Sequence, residues 1–341
     1  MARLRVKSVE AAMNKPLFAL HTPEFIQGTE RPLVSPLLPP HEPKVRLELQ
    51  IDLEYDIDRY GADFIFNIHA AQTPHQKVSH ERLKISQDIP HAVHTDPVTA
   101  NRTLRLRGDV GTLHVSYNAT VEISHHRAAP HTLREVAVQH LPASTIGYLY
   151  PSRYCQSDRL LRLAAKEFGV LPQGYSRVQA ICDWVQRHVS FESNTSDSNT
   201  SAVDTLVTKV GVCRDFAHLM ITLCRALNIP ARFATGTDYG ADPALGPPDF
   251  HAYVEVYLDG RWYIFDPSGT ATPMGLLRIC TGRDAADVAF ATIFGGVRAH
   301  PPVIRAFAIE DAGRGLELPK HGSQALSTDH GMDMASASII P

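Results

Sequence analysis

Residues 211–230 read GVCRDFAHLMITLCRALNIP, and this stretch decides how the second half of the chain folds. Phe216, Leu219, Met220, Leu223 and Leu227 recur at helical spacing, which predicts a helix from just after Gly211 to about Leu227, stopped by Asn228 and Pro230. Cys213 therefore sits where a loop turns into a helix. Unpaired backbone N–H groups and the positive end of the macrodipole lie beside such a position and favour a thiolate. Taken alone, Cys213 reads more simply as one more buried thiol. Asp215 falls in the same first turn, where a carboxylate is favoured, and it opposes a thiolate to the extent that it lies near the sulfur. His218 is rotated roughly 140° from Cys213 on a helix, so it reads as a packing or hydrogen-bonding residue and not as a base.

A base is better placed downstream. Residues 251–258 and 261–266 read as two strands joined by Asp259-Gly260, a two-residue turn that pairs Leu258 with Arg261. Counting back along the strands sets Tyr253 opposite Asp266 and makes His251 the diagonal neighbour of Asp266. Diagonal positions lie about 7–8 Å apart, within reach of an imidazole and a carboxylate. A strand-start histidine and a turn aspartate are each ordinary. With a helix-start cysteine they supply nucleophile, base and a carboxylate that fixes the base's tautomer.

Three blocks, in this order, resemble a known family. They are Gly211-Val212-Cys213-Arg214-Asp215-Phe216-Ala217-His218, Asp249-Phe250-His251-Ala252-Tyr253-Val254-Glu255-Val256-Tyr257, and Trp262-Tyr263-Ile264-Phe265-Asp266-Pro267. They are similar to the bacterial transglutaminase-like proteins. The resemblance implies an α+β fold whose papain-like core packs a cysteine helix on an antiparallel sheet, and it carries Cys213, His251 and Asp266 over as a catalytic triad. Members resemble peptidases, amidases and amine-accepting acyltransferases, and some relatives have lost the catalytic residues. Papain-like enzymes commonly add a polar side chain upstream of the cysteine as an oxyanion donor. Asn199 has a suitable amide, but it also reads as a solvated loop residue.

Upstream of the core the period is two. Val45, Leu47, Leu49, Ile51, Leu53, Tyr55 and Ile57 alternate with polar residues, and similar strands are expected near 64–68, 83–89, 103–107 and 113–123. Residues 45–130 thus read as an antiparallel β-sandwich, similar to the β domain that precedes the core in many bacterial family members. The core is expected over 145–310, with helices near 157–168 and 176–189. The second of these places Cys182 on its apolar stripe, and Ser201-x-x-Asp204 reads as a capping box opening a short helix. Residues 1–44 hold seven of the 24 prolines and read as a flexible leader, and residues 311–341 read as a flexible tail.

Composition bounds the function. A hydrophobic share of 44% and a charged share of 20% describe a folded globular chain, and a net charge of -3 argues against nucleic acid or an anionic membrane as partner. Five cysteines without a C-x-x-C pair give neither a disulfide framework nor a zinc knuckle. With no signal peptide or apolar span of about 18 residues evident, a cytoplasmic protein is expected. His91-x-x-His94 and His125-His126 belong to no recognisable ligand set, so no metal and no cofactor is expected.

The expected activity is cysteine-dependent acyl transfer on a protein or peptide carboxamide, through a thioester. The alternative is a non-catalytic binding or scaffolding module that keeps the fold. Oligomeric state is not legible. The Gly- and Pro-rich run 236–250 carries Asp238, Asp242 and Asp249 and no Lys, Arg or Glu. If it borders the cleft, cationic substrates are favoured; otherwise these are turn-forming aspartates.

Overall fold

The computed structural model describes residues 43–331; all but the end of the expected leader, and the last ten residues of the expected tail, lie outside the described residues. In Val45–Ile57 every second side chain is buried, as the alternation demands. This strand pairs antiparallel with Gly111–Ile123 without a slip, from Val45↔Ile123 to Ile57↔Gly111. Gln76–Ile85 extends the sheet across a bulge between Ser79 and Arg82. A second antiparallel sheet holds Ala62–Phe66, Arg102–Gly108 and His91–Thr95. The ring of Tyr55 from the first sheet lies 5.1 Å from that of Phe64 in the second, so the two sheets share one apolar core.

The sandwich is not finished by the first third of the chain. Val297–Ala299 and Val303–Ile309 both pair with Val45–Ile57, and Ala291–Phe294 pairs with Ala62–Phe66. Strands that sequence order assigns to the core segment 145–310 therefore complete the two sheets of the sandwich. The physical reason is edge protection: Val45–Ile57 and Ala62–Phe66 would each expose a row of unpaired backbone groups without them.

The core sheet runs Arg261–Phe265, Phe250–Leu258, Ala231–Thr237, Cys280–Gly282, all antiparallel. The helix Cys213–Ala226 lies on it, with helices Leu161–Phe168, Tyr175–His188 and Ala202–Thr208 around its remaining sides. Instead of one buried stripe, every residue from Asp215 to Ala226 is buried. Most of its polar atoms are satisfied locally, and His218 Nδ1 is the exception. The Arg225 guanidinium donates to the carbonyls of Ala231, Tyr150 and Arg283, and Ala285 N–H donates to His218 Nε2 at 3.1 Å. His218 also stacks on Tyr154 and tilts against Phe233, so it is the packing residue its position on the helix implied. Among the described residues no helix is long and apolar enough to cross a membrane.

The described part of the tail is not loose. Ala325–Ser327 pairs with His126–Ala128, and Asp329 reaches under the core sheet to a cluster of charges. Its carboxylate lies 2.5 Å from Arg232 and 3.2 Å from Arg278, and Glu255 takes a second bond from Arg232 at 2.7 Å. Two guanidinium groups thus face two carboxylates in the interior, and the tail supplies one of the four. Composition hid this because Ser, Gly and Asp are read as loop formers, whereas a buried charge is paid for by its partners. Asp329→Ala leaves an excess positive charge in the cluster, and urea unfolding is expected to show a loss of about 3 kcal/mol. A change below about 0.5 kcal/mol would show that the tail is not held by this contact.

Candidate active site

Gly211 and Val212 approach the cysteine helix in extended conformation, and Cys213 is its first residue. Asp215 shapes the entry. Its buried carboxylate accepts Val212 N–H at 2.9 Å and Ser196 Oγ–H at 2.9 Å, with Arg214 at 3.4 Å. A Cβ on residue 211 would meet that carboxylate at 2.9 Å, which explains the glycine. The negative charge that opposes a thiolate is thus tied up by an arginine and two other donors.

The hairpin register runs Leu258↔Arg261 through Val254↔Phe265, as the two-residue turn requires. It delivers His251 to Asp266: Nε2 lies 3.2 Å from Oδ1, and both side chains are 2% exposed. Attraction between the imidazolium and the carboxylate is the larger part of this contact, with the hydrogen bond second. Cys213 also acts on this imidazole, helping Asp266 to raise its pKa. Thiol, imidazole and carboxylate are therefore consecutive neighbours, brought together from a helix start, a strand start and the loop after a strand.

Asp266 is held ionised. Burial pushes its carboxyl up, but the charge of His251, its hydrogen bond, Ser268 and the Ala271 N–H outweigh that and hold it below the ordinary carboxylate range. Ser268 donates from Oγ at 2.6 Å and from its backbone at 3.1 Å, and Ala271 N–H donates to Oδ2 at 3.0 Å. For His251 burial favours the neutral ring, yet the charge of Asp266 and the bonds to Asp266 and Cys213 hold its pKa well above the ordinary imidazole value.

Of the five cysteines, Cys213 is the one that is not buried. Burial pushes Cys155 and Cys280 up to about 12, and it pushes Cys182 and Cys224 well above the ordinary thiol range. Asp266 adds its charge to the rise at Cys182, which lies in the core as its helical stripe implied. Asn199 is not part of the cluster: it is exposed, and its N–H donates to Asp197 Oδ1 in a turn. Ser268 and Ala271 were missed by the sequence reading, although Asp266-Pro267-Ser268-Gly269 carries the signal of a turn closed by an aspartate side chain.

The suspect histidines gather no ligand set. His91 and His94 are exposed on an edge strand, and His125 is buried with both ring nitrogens unpartnered, its pKa lowered to about 3 by burial. Glu54, Asp56 and His300 bring three ligand-type atoms within 4.8 Å of one another on the sandwich, but Asp56 there already pairs with Arg298 at 2.7 Å.

The pair makes stability pH-dependent. His251 binds its proton more tightly folded than unfolded, so its contribution is full below about pH 6.5 and lost as pH rises through the folded value. Asp266, shifted down, contributes above about pH 4 and loses its contribution as pH falls through its folded value. NMR titration of the His251 ring is expected to give a midpoint well above 6.5. Asp266→Asn should bring it to or below that value, and Cys213→Ala should lower it by less; an unchanged midpoint in Asp266→Asn would contradict the pairing.

Known proteins agree with this fold. Residues 163–267 match the model of the transglutaminase-like superfamily, and residues 45–144 match that of the bacterial transglutaminase N-terminal domain. A solved structure from Cytophaga hutchinsonii, named a "Putative Cysteine Protease", is 39% identical; the match covers 83% of this chain and 97% of that one with a TM-score of 0.75. An uncharacterized protein of Mycobacterium leprae is 26% identical over 146 residues, and this match spans 41% of the chain and 52% of the relative's length. The chain belongs to the transglutaminase-like superfamily, with the bacterial transglutaminase N-terminal domain ahead of its core.

Proposed function

We propose that the protein is a cysteine-dependent acyl-transfer enzyme acting on peptide or carboxamide bonds, with Cys213, His251 and Asp266 as its triad. One observation carries this reading: the one cysteine that is not buried acts on an imidazole whose Nε2 lies 3.2 Å from a buried, ionised carboxylate. The likeness to the named protease structure supports the hydrolytic form.

The steps follow from the charges. The Cys213 thiolate attacks the substrate carbonyl, and the helix-start N–H groups face the oxyanion that forms. Imidazolium His251 gives its proton to the leaving amine as the C–N bond breaks, and a thioester remains on Cys213. Neutral His251 then takes a proton from water or from an incoming amine, which attacks the thioester and releases the sulfur. Asp266 keeps the ring oriented and favours its charged form throughout. Protein or peptide is thus the proposed partner, and no step calls for a metal or cofactor.

The test is covalent labelling of the folded protein by a thiol-reactive acyl probe. Cys213→Ala is expected to abolish it, whereas Cys182→Ala and Cys224→Ala keep it, because those thiols are buried and protonated. His251→Ala should slow acylation by about 10²–10⁴-fold. Labelling that persists in Cys213→Ala would remove the proposal, and a wild-type protein that never acylates would leave the scaffolding role. Mass spectrometry of a peptide library with a free amine then separates the outcomes: amine gain with loss of ammonia is transamidation, water gain with loss of ammonia is deamidation, and chain cleavage is proteolysis.

A further inference from the structure

The outer face of the sandwich carries a cluster of ionisable side chains that the acyl-transfer chemistry does not use. Glu54 and Asp56 stand two positions apart on Val45–Ile57, so both point away from the core. On one side the register sets His114 of Gly111–Ile123 directly opposite Glu54. On the other side Tyr55 pairs with Ala299, and the next residue, His300, donates its N–H to the Glu54 carbonyl at 2.9 Å. Residues 114, 54 and 300 thus stand in one row across three neighbouring stretches of chain, imidazole, carboxylate, imidazole, with the Asp56 carboxylate diagonal to the row. The sheet fixes the backbone under all four.

The distances suit a shared ion. His300 Nε2 lies 2.9 Å from Asp56 Oδ2 and 3.9 Å from Glu54 Oε1, and one ligand-type atom from each of the three residues falls within 4.8 Å of the others. Donor atoms around a tetrahedral zinc ion, at bond lengths of ~2.0–2.2 Å, are separated by roughly 3.3–3.6 Å, so small side-chain rotations seat all three on one metal. His114 Nδ1 lies 3.5 Å from Oε2, the other oxygen of Glu54, where it can orient the carboxylate. Among the described residues the ion-pair partners of Glu54 are these two imidazoles, with no lysine or arginine. Asp56 differs, because Arg298 reaches its Oδ2 at 2.7 Å. The Arg298 side chain is 76% exposed, and an ion pair so open to water is weak enough for a divalent cation to displace. An imidazole in the set selects a metal of the zinc type over calcium or magnesium, which take oxygen ligands.

We propose that Glu54, Asp56 and His300 form a binding site for a divalent transition metal of the zinc type, with His114 steadying the Glu54 carboxylate and Arg298 as the competitor that the ion displaces. His300 binds through Nε2 in its neutral form, and a fourth position is left to water. The site is independent of the acyl-transfer reading. Its effect is on the fold: His300 lies between Val297–Ala299 and Val303–Ile309, the two strands that return to pair with Val45–Ile57, so the ion ties that return to the first strand. No local motif announces the site, because Asp56 and His300 are 244 positions apart.

Calorimetric titration of the full-length Cys213→Ala protein with Zn²⁺ tests this, the thiol being removed because a thiolate near an imidazole can itself bind zinc. Saturable binding is expected, with a rise in the thermal midpoint as the site fills. In the same background Glu54→Gln and His300→Ala should each weaken binding by about tenfold or more. Glu54→Gln keeps the size of the side chain, so it reports on the ligand even where His300→Ala disturbs the turn. Arg298→Ala is the diagnostic variant: it should tighten binding, because loss of a side chain raises affinity where that side chain competes with the ion. Mg²⁺ at the same concentration should leave the titration unchanged. Absence of saturable Zn²⁺ binding up to about 1 mM, or an affinity unaltered in both Glu54→Gln and His300→Ala, would overturn the site. Weaker binding in Arg298→Ala would overturn the arrangement in which Arg298 holds the place of the ion.

Discussion

A carboxylate buried just past the end of the edge strand Arg261–Phe265 has to be compensated, and the rest of the site follows from how Asp266 meets that constraint. A lone ionised acid in this position would take up a proton. Here imidazolium His251 stands on one side, while Ser268 and the Ala271 N–H close the other. The loop 266–271 can wrap the carboxylate because residue 269 adopts φ +66°, where a Cβ would run into the Gln186 amide at 1.9 Å. The turn, the helix Tyr175–His188 and the ionised state of the acid therefore depend on one another. Charge at Asp266 in turn keeps the ring beside Cys213 in the form that can give up a proton.

The same rule organises the opposite end of the histidine strand. Glu255, four residues from His251, is fully buried between Arg232 and Arg278, and Asp329 completes the cluster. Arg232 also lies over the Trp262 ring at 4.3 Å, so its charge is shielded on a further side. One strand is thereby pinned at both ends by ion pairs that have little access to water. Pairs of this kind add little net stability, but removing one partner is costly, which makes them a means of fixing register. Sandwich and core share chain in the same spirit: the strands 291–309 return to the first sheets.

Much of this was legible because it depends on short-range geometry. Alternation in Val45–Ile57 implies a half-buried strand, a two-residue Asp-Gly turn leaves one register open to the hairpin, and a cysteine after Gly-Val at the head of an apolar helix stands at its N-terminus. From these alone His251 and Asp266 can be set near one another, and the family resemblance adds Cys213. Other features were open to reading and passed over. Glu255 in an otherwise apolar strand announces a buried charge that needs a partner, and Ser268 two residues after Asp266 announces a turn closed by its side chain.

What the sequence by itself determined is the alternation that makes the first strands, the helices of the core, the hairpin register and the pairing of His251 with Asp266 at its open end. These rest on periods of two and 3.6 and on turn chemistry, which act over a few residues. Only the tertiary structure decided that the tail pairs with residues 126–128, that Asp329 neutralises Arg232 and Arg278, and that three late strands finish the sandwich. Such contacts join residues up to hundreds of positions apart, and they are selected by what a buried charge or an open sheet edge finds once the chain has closed, which no local pattern records.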